Sequence, residues 1–510
     1  MILAICLRYI RSLVFFAAIL TAPAFAQPET VTAERGTVIA RSPAGRAIWR
    51  VVKADKEHAT VRTIGAGLYE IGDGTIVNRR GRVVRSGASL AQLPAAAAQP
   101  AWDPLVPLGD EDADAEGPVM DGAGNAYVLV VDSAMSVIRS NGTSGSWQGP
   151  QLILADASGV FNPQITVDSI GNITVLYRAF GASTYDLRAI RYTASTGWQG
   201  PSVIYSSPFF FQQMIAATDS LNNVVVVFDR DNAGGGTGAW SIVYSYSQSI
   251  WGAGQQVSAD GGSALLHSLA RNPAGTRLMM AYLRFSLADA VFVHQYSPAT
   301  QSWGVAEPLL ASGLAGFSSA GVGSHLPLTI DDGGNGTIFV PFYIGIRIQS
   351  LYGYRYENGR WRIGQKLLDW GQTFFDLPNF GDAAVNSQGV VLGAITNRGP
   401  SNQQFSMFRF TPGQGWNHEI AAEFPSASYT RCRVAWLGAI GEAVGTYMFS
   451  ELKSVVYTAG AWALAPEIPG NYGTFFHETV TAPSGEVLLV FGADGGPPPL
   501  GAPYATWLRP

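Results

Sequence analysis

Four arginines recur at one register of a repeating pattern. Arg178, Arg230, Arg284 and Arg398 lie 10, 11, 12 and 12 residues after Asp168, Asp219, Asn272 and Asn386, the residues that open successive turns. A guanidinium fork grips carboxylate, sulfate or phosphate groups through two parallel hydrogen bonds. Arg178, Arg230 and Arg284 fall in consecutive repeats and could share one small anionic ligand, whereas Arg398 stands apart. On this reading Arg230→Ala weakens an anionic ligand by about tenfold and leaves stability almost unchanged. A second set lies in the segments that join the repeats: Phe161, Phe209–Phe211, Phe317, Phe374–Phe375, Tyr429 and Phe475–Phe476. These lead into Asn162, Gln213, His267, His325, Arg433, His477 and Glu478. Aromatic rings beside directing polar groups make a saccharide platform. The other use of such phenylalanines is as wedges between neighbouring units.

Other constellations are thinner. In the acidic run Asp110-Glu-Asp-Ala-Asp-Ala-Glu116, Asp110, Asp112 and Asp114 alternate like the early ligands of a calcium loop. The Gly and final Glu of such a loop are missing, so a solvated acidic loop is the alternative. The three histidines have no metal-ligand spacing and would need to converge from different repeats. Cys432 sits between Arg431 and Arg433, which would favour a thiolate, but a small buried side chain is the expectation. Carboxylates available for acid–base work are Asp229, Asp231, Asp376 and Glu478. A retaining glycosidase needs two carboxyl groups about 5–5.5 Å apart. A clustered buried pair in a channel mouth would point to such an enzyme, and a rim without one to binding. There is no phosphate-binding glycine loop, nucleophile elbow, paired-histidine zinc motif or cysteine pair.

These residues must be positioned by the repeat itself. Trp102, Trp147, Trp198, Trp251, Trp303, Trp361, Trp416 and Trp462 are spaced by 45, 51, 53, 52, 58, 55 and 46 residues. They alternate with turns that start at Asp121, Asp168, Asp219, Asn272, Asp331, Asn386, Gly438 and Ala482. A period near fifty residues built from short strands predicts an all-β propeller with one blade per repeat. Each blade reads as an inner strand A, the turn, strand B, strand C and an outer strand D opened by the Trp. The arginines fall just after strand B, in a B–C loop. Eight four-stranded blades are expected; seven is the alternative, because the Gly438 copy lacks its Asp. Trp102 begins a D strand with no A, B or C before it, and the C-terminus supplies A, B and C and ends where the Trp of a D strand would come. The ring is therefore expected to close by pairing the two.

The hairpins Asn141-Gly-Thr-Ser-Gly-Ser-Trp147, Thr193-Ala-Ser-Thr-Gly-Trp198 and Glu357-Asn-Gly-Arg-Trp361 resemble the Asp-box hairpin of sialidase-like propellers, with the Gly and Trp kept and the box aspartate out of register. The resemblance covers roughly Trp102 to Pro510. It implies the propeller fold, arginines that hold a substrate carboxylate, and as one function a sialidase-like carbohydrate-active hydrolase. No Arg-Ile-Pro motif accompanies it.

The remaining organisation follows from composition. Residues 1–26 read as a signal peptide with Arg8 and Arg11, an apolar run over Leu13–Leu20 and an Ala24-Phe-Ala26 cleavage site. Residues 27–85 form a small β-rich region, 86–100 a linker and 101–510 the propeller. The net charge of −5 gives no nucleic-acid footprint, and no later stretch is long and apolar enough to span a bilayer. We expect a secreted or periplasmic monomer without a cofactor. Its loop face would recognise a saccharide, an anionic polymer or a protein partner without catalysis. The ligand-binding candidates are Arg178, Arg230, Arg284, Arg398, Asn162, His267, His325, Arg433 and His477.

Overall fold

The computed structural model describes residues 30–34, 37–41, 47–52, 61–65, 68–71, 75–78, 83–85, 100–110, 113–142, 145–233, 235–258, 263–285, 290–309, 326–344, 347–369, 380–398, 403–424, 431–438, 442–448, 451–458, 460–465, 467–468, 473–494 and 502–509. The chain divides into two compact units, Met1–Gln99 and Pro100–Pro510. In the first unit Thr30–Glu34, Thr37–Arg41 and Ala47–Val52 pair as one antiparallel sheet. Val61–Gly65, Leu68–Ile71, Thr75–Asn78 and Val83–Arg85 pair as a second. The signal segment expected at 1–26 and all but the last residue of the expected linker lie outside the described residues.

The second unit is a propeller of eight antiparallel blades. Blade 2 shows the plan. Phe161–Val167 is strand A, Ile173–Phe180 strand B and Tyr185–Thr193 strand C. The outer strand pairs with C in two pieces, Gly197–Trp198 and Ser202–Ser207, parted at Pro201. Proline has no N–H to donate, and an outer edge tolerates that loss. Blades 6 and 7 keep the outer strand whole, as Gly415–Phe424 and Ala461–Leu464. The copy around Gly438 builds a full blade from Cys432–Leu437, Glu442–Met448, Leu452–Thr458 and Ala461–Leu464, which removes the seven-blade alternative.

The A–B turn is held by its first side chain. Oδ1 of Asp168 accepts from the N–H groups of Ile170 (3.1 Å) and Asn172 (2.8 Å), and Oδ2 accepts from Asn172 Nδ2 at 2.7 Å. Asp121 and Asp219 repeat the arrangement. Gly171 takes a φ of 85°, and Asn222 does the same duty in blade 3 at 62°, since Asn tolerates the left-handed region better than most residues.

The recurring Trp is explained by its cross-strand partner. Trp198, Trp251, Trp303, Trp361, Trp416 and Trp462 pack on Tyr192, Tyr244, Tyr296, Tyr356, Phe410 and Tyr457, with ring centroids 5.2 to 5.5 Å apart. Such ring pairs stabilise by about 0.5–1.5 kcal/mol beyond the area they bury. Strand B is the most buried element: Val224 to Phe228 all lie within the core. Complete burial of such a side chain stabilises by about 1.5–3 kcal/mol.

Ring closure is as expected. Pro503–Arg509, strand C of blade 8, pairs with Ala101–Trp102 and Val106–Pro107 as its outer strand, in the registers Leu508↔Trp102 and Tyr504↔Pro107. Arg509 Nε donates to Asp103 Oδ2 at 2.9 Å, and Trp102 Nε1 reaches Ser454 Oγ of blade 7 at 3.1 Å.

Candidate functional site

The arginine register lies inside strand B and not in the loop after it. Arg178 pairs with Leu187, Arg230 with Gly238, Arg284 with Ala290 and Arg398 with Gln403. The B–C ladder runs further than the pattern indicated, on to Phe180↔Tyr185 in blade 2 and Asp231↔Thr237 in blade 3. Strand pairing also half-buries the first three side chains, where an exposed loop was expected. Arg178 Nη1 donates to the Phe211 carbonyl of blade 3, and its guanidinium lies 5.0 Å from the Phe210 ring centroid. Burial pulls its pKa down, and the neighbouring Asp229 pulls it up. Arg230 Nη1 donates to the Tyr205 hydroxyl, and its guanidinium stacks 3.6 Å from a Trp240 ring centroid. Arg284 lies 5.8 Å from the Phe292 ring centroid. All three have a buried Nε without a hydrogen-bond partner among the described residues.

Around Arg178 and Arg230 the rings form a continuous run. Phe161 meets Phe180 at 5.0 Å, Phe180 meets Tyr185 at 5.5 Å, and Tyr185 meets Phe210 at 5.3 Å. Phe211 continues it inward to Tyr205 at 5.8 Å, and Tyr205 to Trp240 at 6.2 Å. The phenylalanines divide between two settings. Phe211 is a buried wedge, while Phe161, Phe180 and Phe210 are 40%, 59% and 38% exposed. Sequence reading missed Phe180, Tyr185, Tyr205 and Trp240. Phe180 stands two residues after Arg178 and so shares its strand face, a signal that was available.

The other predicted residues separate. Asn162 sits exposed beside Phe161 at a strand irregularity, with φ of 47°. His325, Asp112, Phe317, Phe374, Phe375, Asp376 and Tyr429 lie outside the described residues, as do the side chains of His267, Arg398, Phe475 and Phe476. Asp229 is wholly buried and accepts from the Gln213 N–H; Asp231 accepts from Thr237 Oγ1 at 3.2 Å. His477 is also wholly buried, not on the rim. Burial first, then Arg433, push its pKa down to about 3, so the imidazole is neutral. Burial pushes the Cys432 thiol up despite Arg433, which leaves it a packed thiol and not a thiolate.

The inner strands supply a second constellation. Glu116, Gln164, Ile215, Ser268, Asp382, Arg433 and Glu478 pair with Leu129, Leu176, Val227, Ala281, Ala394, Thr446 and Val490 of their B strands. Pro327, whose carbonyl accepts from Phe339 N, completes the series. These eight positions therefore ring the channel at one depth. Blades 6, 7, 8, 1 and 2 contribute Asp382, Arg433, Glu478, Glu116 and Gln164, and blades 3 to 5 contribute Ile215, Ser268 and Pro327. On the charged arc, Arg433 Nε donates to Glu478 Oε2 at 2.8 Å and Nη2 donates to Oε1, a bidentate pair. Burial alone would lower the Arg433 pKa; Glu478 and Asp382 overturn this and raise it. Burial pushes Asp382 up to about 6, with Arg433 opposing and Glu478 adding. Burial, then Glu478, then Asp114, push Glu116 up to about 7. Asp114, from the acidic run, thus opens strand A of blade 1 and acts on this arc. Sequence reading found Arg433 and Glu478 but not Glu116 or Asp382.

No family model and no curated protein matches this chain. Solved structures share the repeated-blade architecture at low identity. One is an ulvan lyase of a polysaccharide lyase family, with 11% identity and a TM-score of 0.43 over 71% of this chain and 96% of that one. Another is the β-propeller domain of the Trilobed protease from Pyrococcus furiosus, with 9% identity and a TM-score of 0.39 over 70% and 99%. A third is NanB sialidase from Streptococcus pneumoniae, with 8% identity and a TM-score of 0.35 over 79% and 94%. The likeness is one of fold and carries no ligand or reaction with it.

Proposed function

We propose that this chain is an exported, non-catalytic propeller that binds an anionic saccharide on the loop face of blades 2 and 3. One observation supports the reading: a partly exposed aromatic run through Phe161, Phe180, Tyr185 and Phe210, with the Arg178 guanidinium lying against Phe210 and that of Arg230 against Phe209 and Trp240 next to it. A sugar ring stacks its apolar face on such rings. A carboxylate or sulfate on that sugar is met by the remaining donors of the two guanidiniums, whose planes are already held by the aromatic contacts and by the bonds to the Phe211 carbonyl and the Tyr205 hydroxyl. Ordering them on binding therefore costs little.

The test is titration of the purified protein with uronate-bearing and sulfated oligosaccharides chosen from a glycan array. Phe180→Ala removes an exposed ring, and Arg178→Lys keeps the charge but loses the fork. Each is expected to weaken binding by about tenfold, the loss of a contact of about 1.4 kcal/mol. Binding to no glycan, or binding indifferent to both substitutions, overturns the proposal.

A hydrolase is the second reading, and the channel arc favours it. Glu116 is pushed up to about 7, while Glu478 is held in an ion pair by Arg433. A buried carboxyl raised in this way can act as general acid beside an ion-paired carboxylate. Turnover of a fluorogenic glycoside that is lost in both Glu116→Gln and Glu478→Gln would establish this reading in place of the first.

A further inference from the structure

The opposite face of the ring, where A–B turns and C–D hairpins meet, carries a cleft of about 660 Å³ between blades 3 and 4. It forms where the repeat is irregular. In the turns opened by Asp121, Asp168, Asp219 and Asp331, the first side chain caps the N–H four residues on. In blade 4 Asn272 Oδ1 instead accepts from Arg277 N, five residues on, at 2.9 Å. The longer turn is tied to blade 3 by Ser220 N donating to the Gly275 carbonyl at 2.8 Å. Thr276 and Arg277 form one side of the cleft and Ser220 another, and the hairpin from Ser297 to Ser302 adds further hydroxyls.

The lining has a consistent chemistry. It holds hydroxyl groups, the Gln295 amide, one guanidinium and the rings of Tyr296 and Trp303, with no carboxylate among the described lining residues. The nearest acceptor recorded for Arg277 is Gln295 Oε1 at 3.4 Å, too long to occupy the fork. The Tyr296 hydroxyl and Trp303 Nε1 are buried without a hydrogen-bond partner among the described residues, and Tyr296 is only 3% exposed. Clefts of roughly 300–1,000 Å³ with aromatic surface and a few polar groups are the usual form of small-ligand sites.

We propose that this cleft is a second saccharide site, taking a sugar residue with one anionic group. The hydroxyls and the amide serve the sugar hydroxyls, the partly exposed Trp303 ring serves its apolar face, and Arg277 receives the anion. Because A–B turns and B–C hairpins end on opposite faces of a blade, this site does not overlap the one over blades 2 and 3. Together the two let one ring hold a polymer at two places, which raises avidity without any new contact.

The test is hydrogen-exchange mass spectrometry of the full chain with a glucuronate-bearing tetrasaccharide and its carboxyl-reduced counterpart. The acidic probe is expected to protect residues 272–277 and 295–304. Arg277→Gln should weaken that protection at least tenfold, and Ser302→Gln, which narrows the cleft from a different element, should weaken it too. Arg178→Lys should leave it unchanged. Protection lost with Arg178→Lys, equal protection by the reduced probe, or no protection at 272–277 and 295–304 each overturns the proposal. Protection of the cleft alone, with none over blades 2 and 3, sinks the loop-face reading and keeps this one.

Discussion

Glu116→Gln should change the pH dependence of stability in a definite direction. In the folded ring burial, Glu478 and Asp114 raise the Glu116 pKa from 4.5 to about 7. The native state therefore binds a proton that the unfolded chain has already lost over that interval. Stability falls with rising pH wherever the native state binds more protons. The contribution of Glu116 is complete below about pH 4.5 and is lost as pH rises through 7. At 1.36 kcal/mol for each pH unit, the displacement corresponds to about 3 kcal/mol. Asp382, raised from 3.8 to about 6, adds a loss of the same sign at lower pH. The assay is urea unfolding of both proteins at pH 5 and pH 8. Between these values the losses from Glu116 and Asp382 are partly offset by the gain from His477, so the comparison of the two proteins isolates the Glu116 part. Glu116→Gln, which keeps the shape and removes the ionisation, should lose about 2.5 kcal/mol less over this interval. Identical slopes for the two proteins would refute the claim that Glu116 is held protonated by the arc.

Three further outcomes follow from the packing. On the acid side His477, lowered from 6.5 to about 3, should make stability fall as pH drops from 6.5 toward 3, and His477→Asn should flatten that limb in the same unfolding series. Asp168→Ala strips three hydrogen bonds from a buried turn and should cost about 3 kcal/mol by urea unfolding; a loss under 0.5 kcal/mol would deny the turn its role. Removing residues 503–510 deletes the strand that pairs with Trp102 and Pro107, so size exclusion should show aggregates, and a folded monomer would contradict closure by that strand.

The fold was legible because its signals are local and repeated. Each of these Trp residues sits five to seven residues from the ring it packs on, and most turns carry their own Asp or Asn cap, so both survive as spacing. Closure was legible because Trp102 begins a strand D without a blade and Ala502–Leu508 a strand C without its Trp. The arginine register was visible for the same reason, although pairing beyond Phe180 placed it within strand B. The channel arc was not visible. Glu116 and Asp382 are separated by more than half of the chain and meet only because the ring brings blades 6, 7, 8 and 1 together. What could have found them is the inner strand counted back from each turn: four or five residues before Asn386, Gly438, Ala482 and Asp121 stand Asp382, Arg433, Glu478 and Glu116. His477 misled because one position along a strand separates a channel residue from a buried one, and sequence alone does not say which is which.

The pairing of Tyr504 with Pro107 has a consequence in time as well as in space. These partners are separated by nearly the whole propeller, so the first strand made waits for the last. At synthesis rates of about 5–20 residues per second, that interval is roughly 20 to 80 s. Throughout it Trp102 and Val106 have no sheet to join, and the growing array keeps an open edge at each end. A chain whose ring closes last is most open to misassembly before it is complete. The slowest step in its folding should therefore be sensitive to the final few residues and not to any blade in the middle.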